Sequence, residues 1–270
     1  MALIQIEKIC VAYGSPVHPV LTGVDLSIEP GEFVCILGQT GCGKSTLLRL
    51  VLGSEKPCEG RVLIDGVELR HPGPACGYVP QKYSLFPDKT VLDNITFGPE
   101  VSEFNLFTRL SPGYLSRRRH FRSEAMQYLR RMGLQDADAK KYPDQLSGGM
   151  QQRVAIAQAL INRPKILLMD EAFSALDPGT RKDMQRLIRH VWSDTGITVL
   201  FVTHNTQEAL YLGTRVIVLA KETPEDGSRI AMELAVPDRC PQEEVSRLVT
   251  TLDWASGSSR RPEAAAFATA

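Results

Sequence analysis

Between residues 33 and 52 the chain passes from a strand pattern to a helix pattern through Gly38-Gln39-Thr40-Gly41-Cys42-Gly43-Lys44-Ser45. The run before it, Phe33-Val34-Cys35-Ile36-Leu37, is apolar throughout. Such a run reads as a strand buried on both faces, as in a parallel sheet. Lys44 to Leu52 carries helical periodicity. Strand, glycine loop and helix in this order, with the spacing G-x-x-x-x-G-K-[ST], form the P-loop pattern. The glycines let backbone N–H groups converge on phosphate oxygens, and the helix start adds the positive end of its dipole. Lys44 is expected to reach β- and γ-phosphates. Ser45 is expected to bind Mg²⁺ through its hydroxyl, and Thr46 to touch the α-phosphate.

Further apolar runs lie at Ile166 to Met169, Ile197 to Val202 and Val216 to Leu219. Helical patterns lie at Ser123 to Met132, Met150 to Ile161 and Thr180 to Trp192. Strands alternating with helices imply an α/β fold with a mainly parallel sheet. Leu3, Ile4, Ile6 and Ile9 open a stretch of short strands with tight turns, Val24 to Ile28 alternates at the strand period, and this first segment is expected to form an antiparallel β subdomain. Residues 86–161 read as an inserted helical subdomain, and the core as about 1–85 and 162–225. One domain would then span 1–255, with 256–270 a mobile tail rich in Ser, Arg and Ala.

A second chemical signal is Ile166-Leu167-Leu168-Met169-Asp170-Glu171, an apolar strand ending in two acids. Ligands of open α/β sheets sit beyond the carboxyl ends of strands. Asp170 is therefore placed to hold Mg²⁺ through water, and Glu171 to polarise a water that attacks the γ-phosphate. A third is Leu146-Ser147-Gly148-Gly149-Met150-Gln151, where Ser147 is a good helix N-cap. Ser147, Gly148 and Gly149 form another anion-binding concavity at a helix start. One P-loop already accounts for one set of phosphates, so this second helix needs its own explanation.

With these motifs in order, the sequence resembles the ATP-binding-cassette ATPases over about Ile4 to Ala220, and Leu146 to Gln151 is similar to their signature motif. The resemblance implies ATP and Mg²⁺ as cofactors, and hydrolysis of ATP to ADP and phosphate. It also implies that a second cassette chain, the same chain in a homodimer, places its signature helix over the ATP held by this P-loop. Two subunits would then sandwich two ATP molecules head to tail. Tyr13, in Val11-Ala12-Tyr13-Gly14, corresponds to the aromatic residue that stacks on adenine. Gln81, after Tyr78-Val79-Pro80, corresponds to the glutamine that senses Mg²⁺ and the attacking water. Ser174-Ala175-Leu176-Asp177 corresponds to the loop that crosses the dimer interface, and His204 to the histidine that contacts the γ-phosphate. The chain departs from the usual pattern at Gln39-Thr40 and at Asn205, where Asp is frequent. Neither change removes a catalytic residue, and Asn205 with Glu208 still suits a capping box.

The segments Leu85-Phe86-Pro87, Thr90 to Ile95, Phe97-Gly98 and Tyr142-Pro143-Asp144-Gln145 resemble bacterial importer cassettes of the nitrate/sulfonate/taurine group. That resemblance implies a transmembrane permease, a periplasmic substrate-binding protein, and a peripheral seat on the cytoplasmic face of the inner membrane. Phe86, Pro87 and Phe97 are candidate permease contacts or core residues. The cargo would be nitrate, a sulfonate, taurine or a related nitrogen or sulfur compound. Export or lipid movement, and a soluble cassette gripping nucleic acid, are the rival readings. The balance of 31 Lys+Arg against 31 Asp+Glu speaks against nucleic acid. No apolar run approaches the roughly 18 to 20 residues of a spanning helix. The start Met-Ala-Leu-Ile-Gln-Ile-Glu lacks the pattern of a signal peptide. Six cysteines without a Cys-x-x-Cys pair predict free thiols. Between Gly98 and Ser123, with Phe104, Phe107 and Tyr114, the run Arg117 to Arg122 reads as a solvated basic surface or a contact for anionic headgroups.

Overall fold

The computed structural model describes residues 2–15, 18–82, 85–103, 113–223, 225–237 and 242–256. The chain divides into two compact units, one of residues 1–72 and 200–270, the other of residues 73–199.

The first unit opens with β1 (Ile4–Tyr13) and β2 (His18–Ile28), paired antiparallel from Ile4↔Ile28 to Tyr13↔His18. β4 (Glu59–Ile64) pairs on the other side of β1, and β5 (Val67–Glu68) follows, giving the order β2-β1-β4-β5. This is the antiparallel β subdomain that the alternation predicts, and Ile4, Ile6, Ile9 and Val11 of β1 supply its buried face. β3 (Phe33–Leu37) is buried at every position and pairs parallel with β9 (Arg215–Ala220). β10 (Arg229–Ala235) adds antiparallel to β9. β8 (Thr198–Val202), whose residues 200–202 belong here, lies beside β3, where Phe201 meets Phe33 edge-on at 6.3 Å. Among the described residues the unit also holds the helices α1 (Lys44–Leu52), α6 (Thr206–Leu212) and α7 (Gln242–Ala255).

The second unit holds β6 (Cys76–Val79) parallel to β7 (Ile166–Asp170), with α2 (Val91–Glu103), α3 (Tyr114–Arg131), α4 (Gly148–Leu160) and α5 (Pro178–Thr195). The α5 face is set by spacing: Met184, Ile188 and Val191 are buried, four and then three residues apart. The α/β class with parallel pairing is thus the observed one. α3 and α5 run longer than their periodicity predicts, α3 by nine residues at its start. The extra turns of α3 are polar, so apolar spacing does not announce them.

Two expectations change. Arg117, Arg118 and Arg122 are charge-matched by α2, pairing with Glu103 at 3.3 Å, Glu100 at 3.4 Å and Asp93 at 2.9 Å. These pairs offset part of the positive charge that a headgroup contact would use. Ser256, expected to begin the tail, is buried and closes α7, its N–H donating to the Leu252 carbonyl at 2.8 Å. Phe104, Phe107 and residues 257–270 lie outside the described residues. Cys10, Cys35, Cys42, Cys58 and Cys76 are free thiols, as expected.

Candidate functional site

The glycine loop begins where β3 ends. At Gly38 φ is +154°, and a Cβ there would stand 2.5 Å from the Leu219 carbonyl oxygen, so only glycine lets the loop pass this close to β9. Gly41 and Gly43 also take positive φ. Gln39, Thr40 and Gly41 are exposed, whereas Cys42 and Thr46 are buried and Ser45 half-buried. Lys44 is nearly buried, and its Nζ donates to the carbonyls of Gly38 at 2.8 Å and Gln39 at 2.9 Å. The ammonium therefore spans the loop from inside. No side chain caps α1 and no acid occupies its first turn. By contrast Ser147, Asp177 and Asn205 cap α4, α5 and α6 through their side-chain oxygens. An uncapped helix start with an adjacent ammonium and no acid in its first turn suits an anion.

Two further predicted residues lie in this unit. Tyr13 is exposed at the end of β1 and interacts with Thr46 and Glu55; partial burial, and then the bond to Glu55, raise its phenol above the ordinary value. Its ring is thus held beside the helix that follows the loop. His204 is exposed in the turn from β8 to α6. The preceding Thr203 donates its N–H to the Ile36 carbonyl at 3.2 Å, which fixes the turn to the strand feeding the glycine loop. The capping box predicted at Asn205 forms only by half. Asn205 Oδ1 accepts from the Glu208 N–H at 3.0 Å, but the Glu208 carboxylate accepts from the Thr203 hydroxyl at 2.5 Å instead of returning to the cap.

In the second unit, Asp170 is the buried last residue of β7, and Glu171 follows it. Glu171 takes φ +44°, a left-handed conformation that costs of order 1–3 kcal/mol for a non-glycine residue. Strain of this kind collects where a side chain must be aimed. Gln81, just past β6, donates from Nε2 to the Glu171 carboxylate at 3.2 Å. Two residues 90 apart in sequence are thereby brought together. β6 and β7 place them so because the strands are parallel and in register from Cys76↔Ile166 to Val79↔Met169.

Ser147 and Gly148 are exposed at the start of α4, with the Ser147 hydroxyl accepting from the Met150 N–H at 3.3 Å. Gly149 is buried, and a Cβ there would meet the Thr180 methyl at 2.5 Å. Gln151, which sequence reasoning left without a role, donates to the carbonyls of Pro143 and Leu146 at 2.8 and 3.3 Å and so fixes the loop before Ser147. Arg181 is also missed. Its guanidinium donates to the carbonyls of Phe173, Ser174 and Leu176, clamping the segment that ends at Asp177. Asp177 accepts from the Gly179 and Thr180 N–H groups, and its bonds to Thr180 hold the carboxyl below the usual range. No sequence signal marks Arg181, because its partners are backbone carbonyls, which any residues supply.

A buried strand, an uncapped glycine loop with its lysine, and a strained acid just past a parallel strand are the features of a P-loop α/β nucleotide-site protein. The ABC transporter family model matches residues 21–174, and the chain belongs to that family. It is 41% identical over 220 residues to the nitrate import ATP-binding protein NrtD of Synechococcus elongatus, covering 82% of this chain and 75% of that one. It is 39% identical over 250 residues to the aliphatic sulfonates import ATP-binding protein SsuB of Yersinia pestis, covering 93% and 82%. The fold superimposes on the dimeric post-hydrolysis state of the ATP-binding cassette MJ0796 bound to ADP and Pi. The TM-score is 0.72 at 32% identity, covering 87% of this chain and all of that one.

Proposed function

We propose that this chain is the ATP-hydrolysing subunit of an importer for a small solute, in the class of nitrate, sulfonates, taurine or a related nitrogen or sulfur compound. The observation that carries the reading is the Lys44 ammonium spanning an uncapped glycine loop at the start of α1. The import-system relatives support the direction of transport. The cassette is read as one domain over 1–255, with a nucleotide core of about 1–85 and 162–225 and a helical subdomain of about 86–161. Among the described residues no helix is long and apolar enough to cross a membrane. The reading accordingly assigns translocation to separate permease subunits, with a periplasmic substrate-binding protein delivering the solute. The cassette sits peripherally on the cytoplasmic face of the inner membrane, and nucleic acid is not a partner. Phe86 and Phe97, ring to ring at 4.3 Å beneath the Lys89 ammonium, are half-buried residues that the permease is proposed to meet.

Toward ATP, Tyr13 stacks on the base, and residues 38–46 wrap the phosphates with backbone N–H groups. Lys44 neutralises charge at the β- and γ-phosphates. Glu171 accepts a hydrogen bond from the attacking water and aims it at the γ-phosphorus; the bond to the β–γ bridging oxygen breaks, leaving ADP and phosphate. Gln81 holds Glu171, and His204 donates to a γ-phosphate oxygen. Positioning and charge neutralisation are most of what phosphoryl transfer asks of a protein. Among the described residues no three or more His, Cys, Asp or Glu side chains gather into a metal cage. Mg²⁺ is commonly held by one or two carboxylates together with substrate phosphates, and Asp170 at the end of β7 supplies such a carboxylate. Ser45, Asp170 and Gln81 are the proposed holders, and the ion when bound offsets charge on the phosphates. The exposed Ser147 and Gly148 are read as facing the ATP of a second, identical chain.

Glu171→Gln tests the reading. Its amide oxygen still accepts from Gln81, so the change removes charge and basicity while leaving the contact. Steady-state phosphate release should fall about a hundredfold or more, the scale of losing a positioned base. Sedimentation with ATP and Mg²⁺ should show a stable dimer. Wild-type turnover, or a strict monomer at saturating ATP, would overturn it.

A further inference from the structure

The C-terminal helix α7 reaches the histidine turn from outside the nucleotide motifs. Thr206, the first residue of α6 and two residues after His204, donates its hydroxyl to the Asp253 carboxylate. Thr206 is buried, and the neighbouring Leu252 is fully buried, so α7 is held by packing at this point. α7 packs on both α6 and β9. Its last residue, Ala255, and the following Ser256 line a cavity of about 630 Å³ shared with Gln39, Thr40, Gly41 and Cys42 of the phosphate loop. One turn of helix therefore touches the histidine turn on one side and borders the phosphate loop on the other.

Three of the turn's ties bear on its orientation. Thr203 N–H holds the Ile36 carbonyl, at the end of β3. The Thr203 hydroxyl accepts from the Asn205 N–H at 3.1 Å and donates to Glu208, while Asn205 caps Glu208. The first tie fixes the start of the turn, and the second closes it on itself. The third, Asp253 to Thr206, fixes its end. The first and third ties hold the two ends of the turn to other elements, and the second keeps its internal shape. His204 lies between the anchored ends.

We infer that Asp253 is a positioning residue for hydrolysis: through Thr206 it sets the orientation of the turn carrying His204, and α7 thereby tunes turnover with little effect on ATP binding. This rests on the reading of His204 as the γ-phosphate contact. Losing one side-chain hydrogen bond to a carboxylate alters the transition state by about a factor of ten. Asp253→Ala should lower kcat about five- to tenfold with KM for ATP within twofold. Asp253→Asn, which keeps an acceptor oxygen, should recover to within twofold of wild type. Thr206→Val should match Asp253→Ala, and the double variant should be no slower than the worse single one, the mark of one shared interaction.

A merely structural role is separated by the His204→Ala background. If Asp253 acts through His204, Asp253→Ala adds no further loss there; an added loss of the same size would overturn the inference. So would unchanged kcat in Asp253→Ala, or a KM change equal to the kcat change. If Asp253→Ala fails to fold, Thr206→Val and Thr206→Ser carry the same test, since serine keeps the hydroxyl and valine does not. Wild-type turnover by His204→Ala would instead show that the reading of the site has failed, whereas a slow His204→Ala beside a normal Asp253→Ala removes only the role of α7.

Discussion

Lys44 offers the sharpest test of the phosphate site, because its two hydrogen bonds separate stability from chemistry. In Lys44→Met the side-chain stem, which is buried with only 4% of the residue exposed, is replaced by a chain of similar volume. The bonds to the carbonyls of Gly38 and Gln39 disappear. Gln39 is exposed, so its carbonyl is within reach of water and that loss should stay at about 1 kcal/mol, whereas the buried Gly38 carbonyl left without its donor should cost about 1–3 kcal/mol. For a domain of this size the unfolding midpoint should then drop by about 4–16 °C. A hydrogen bond from an ammonium to a phosphate is worth about 1.5–3 kcal/mol, so the Kd for ATP should rise about 10- to 150-fold. Removing a preorganised donor from developing charge costs about 10²–10³ in turnover. Titration with a fluorescent ATP analogue gives the first quantity and phosphate release at saturating ATP the second. A folded Lys44→Met protein with more than a tenth of wild-type turnover and a Kd within threefold would refute the placement of phosphate at this loop.

Two other predictions concern packing and thiols. Gly149→Ala should destabilise by about 1–3 kcal/mol, because the new methyl would meet the Thr180 methyl at 2.5 Å. In a Thr180→Ser background the sign should reverse, the helix-propensity gain of several tenths of a kcal/mol then standing alone; urea unfolding of the four proteins decides, and the same loss in both backgrounds would exclude the clash. Burial pushes the Cys76 thiol up to about 11 and raises Cys35 and Cys42 as well, whereas Cys58 is exposed. At pH 8 roughly one part in a thousand of Cys76 is thiolate, so maleimide should label Cys58 first and Cys76 only above pH 10 or on unfolding; equal labelling rates at pH 8 would contradict this.

What the sequence determined by itself is what neighbouring residues encode. The run 33–37, the glycine spacing and the periodicity that follows specify β3, the loop and α1 to the residue, because burial on both faces, positive φ and helical spacing are local properties. The acids at the end of β7 and the cap at Ser147 were legible for the same reason. The antiparallel subdomain could be read from alternation, since period two over β1 and β2 needs only one buried face. Tertiary structure decided everything that joins distant segments. Gln81 meets Glu171 through the register of β6 on β7, which no local pattern states. The left-handed backbone at Glu171 is imposed by its surroundings against the residue's own preference. Arg117, Arg118 and Arg122 of α3 pair with acids of α2 lying 14 to 29 residues earlier, so a run that looks basic in sequence is partly offset in space. Arg181 and Gln151 bind carbonyls, and carbonyls carry no side-chain signature. Asp253 reaches Thr206 across 47 residues because α7 packs on α6. Local chemistry names the parts of the site; the packing of strands and helices decides which side chains hold them still.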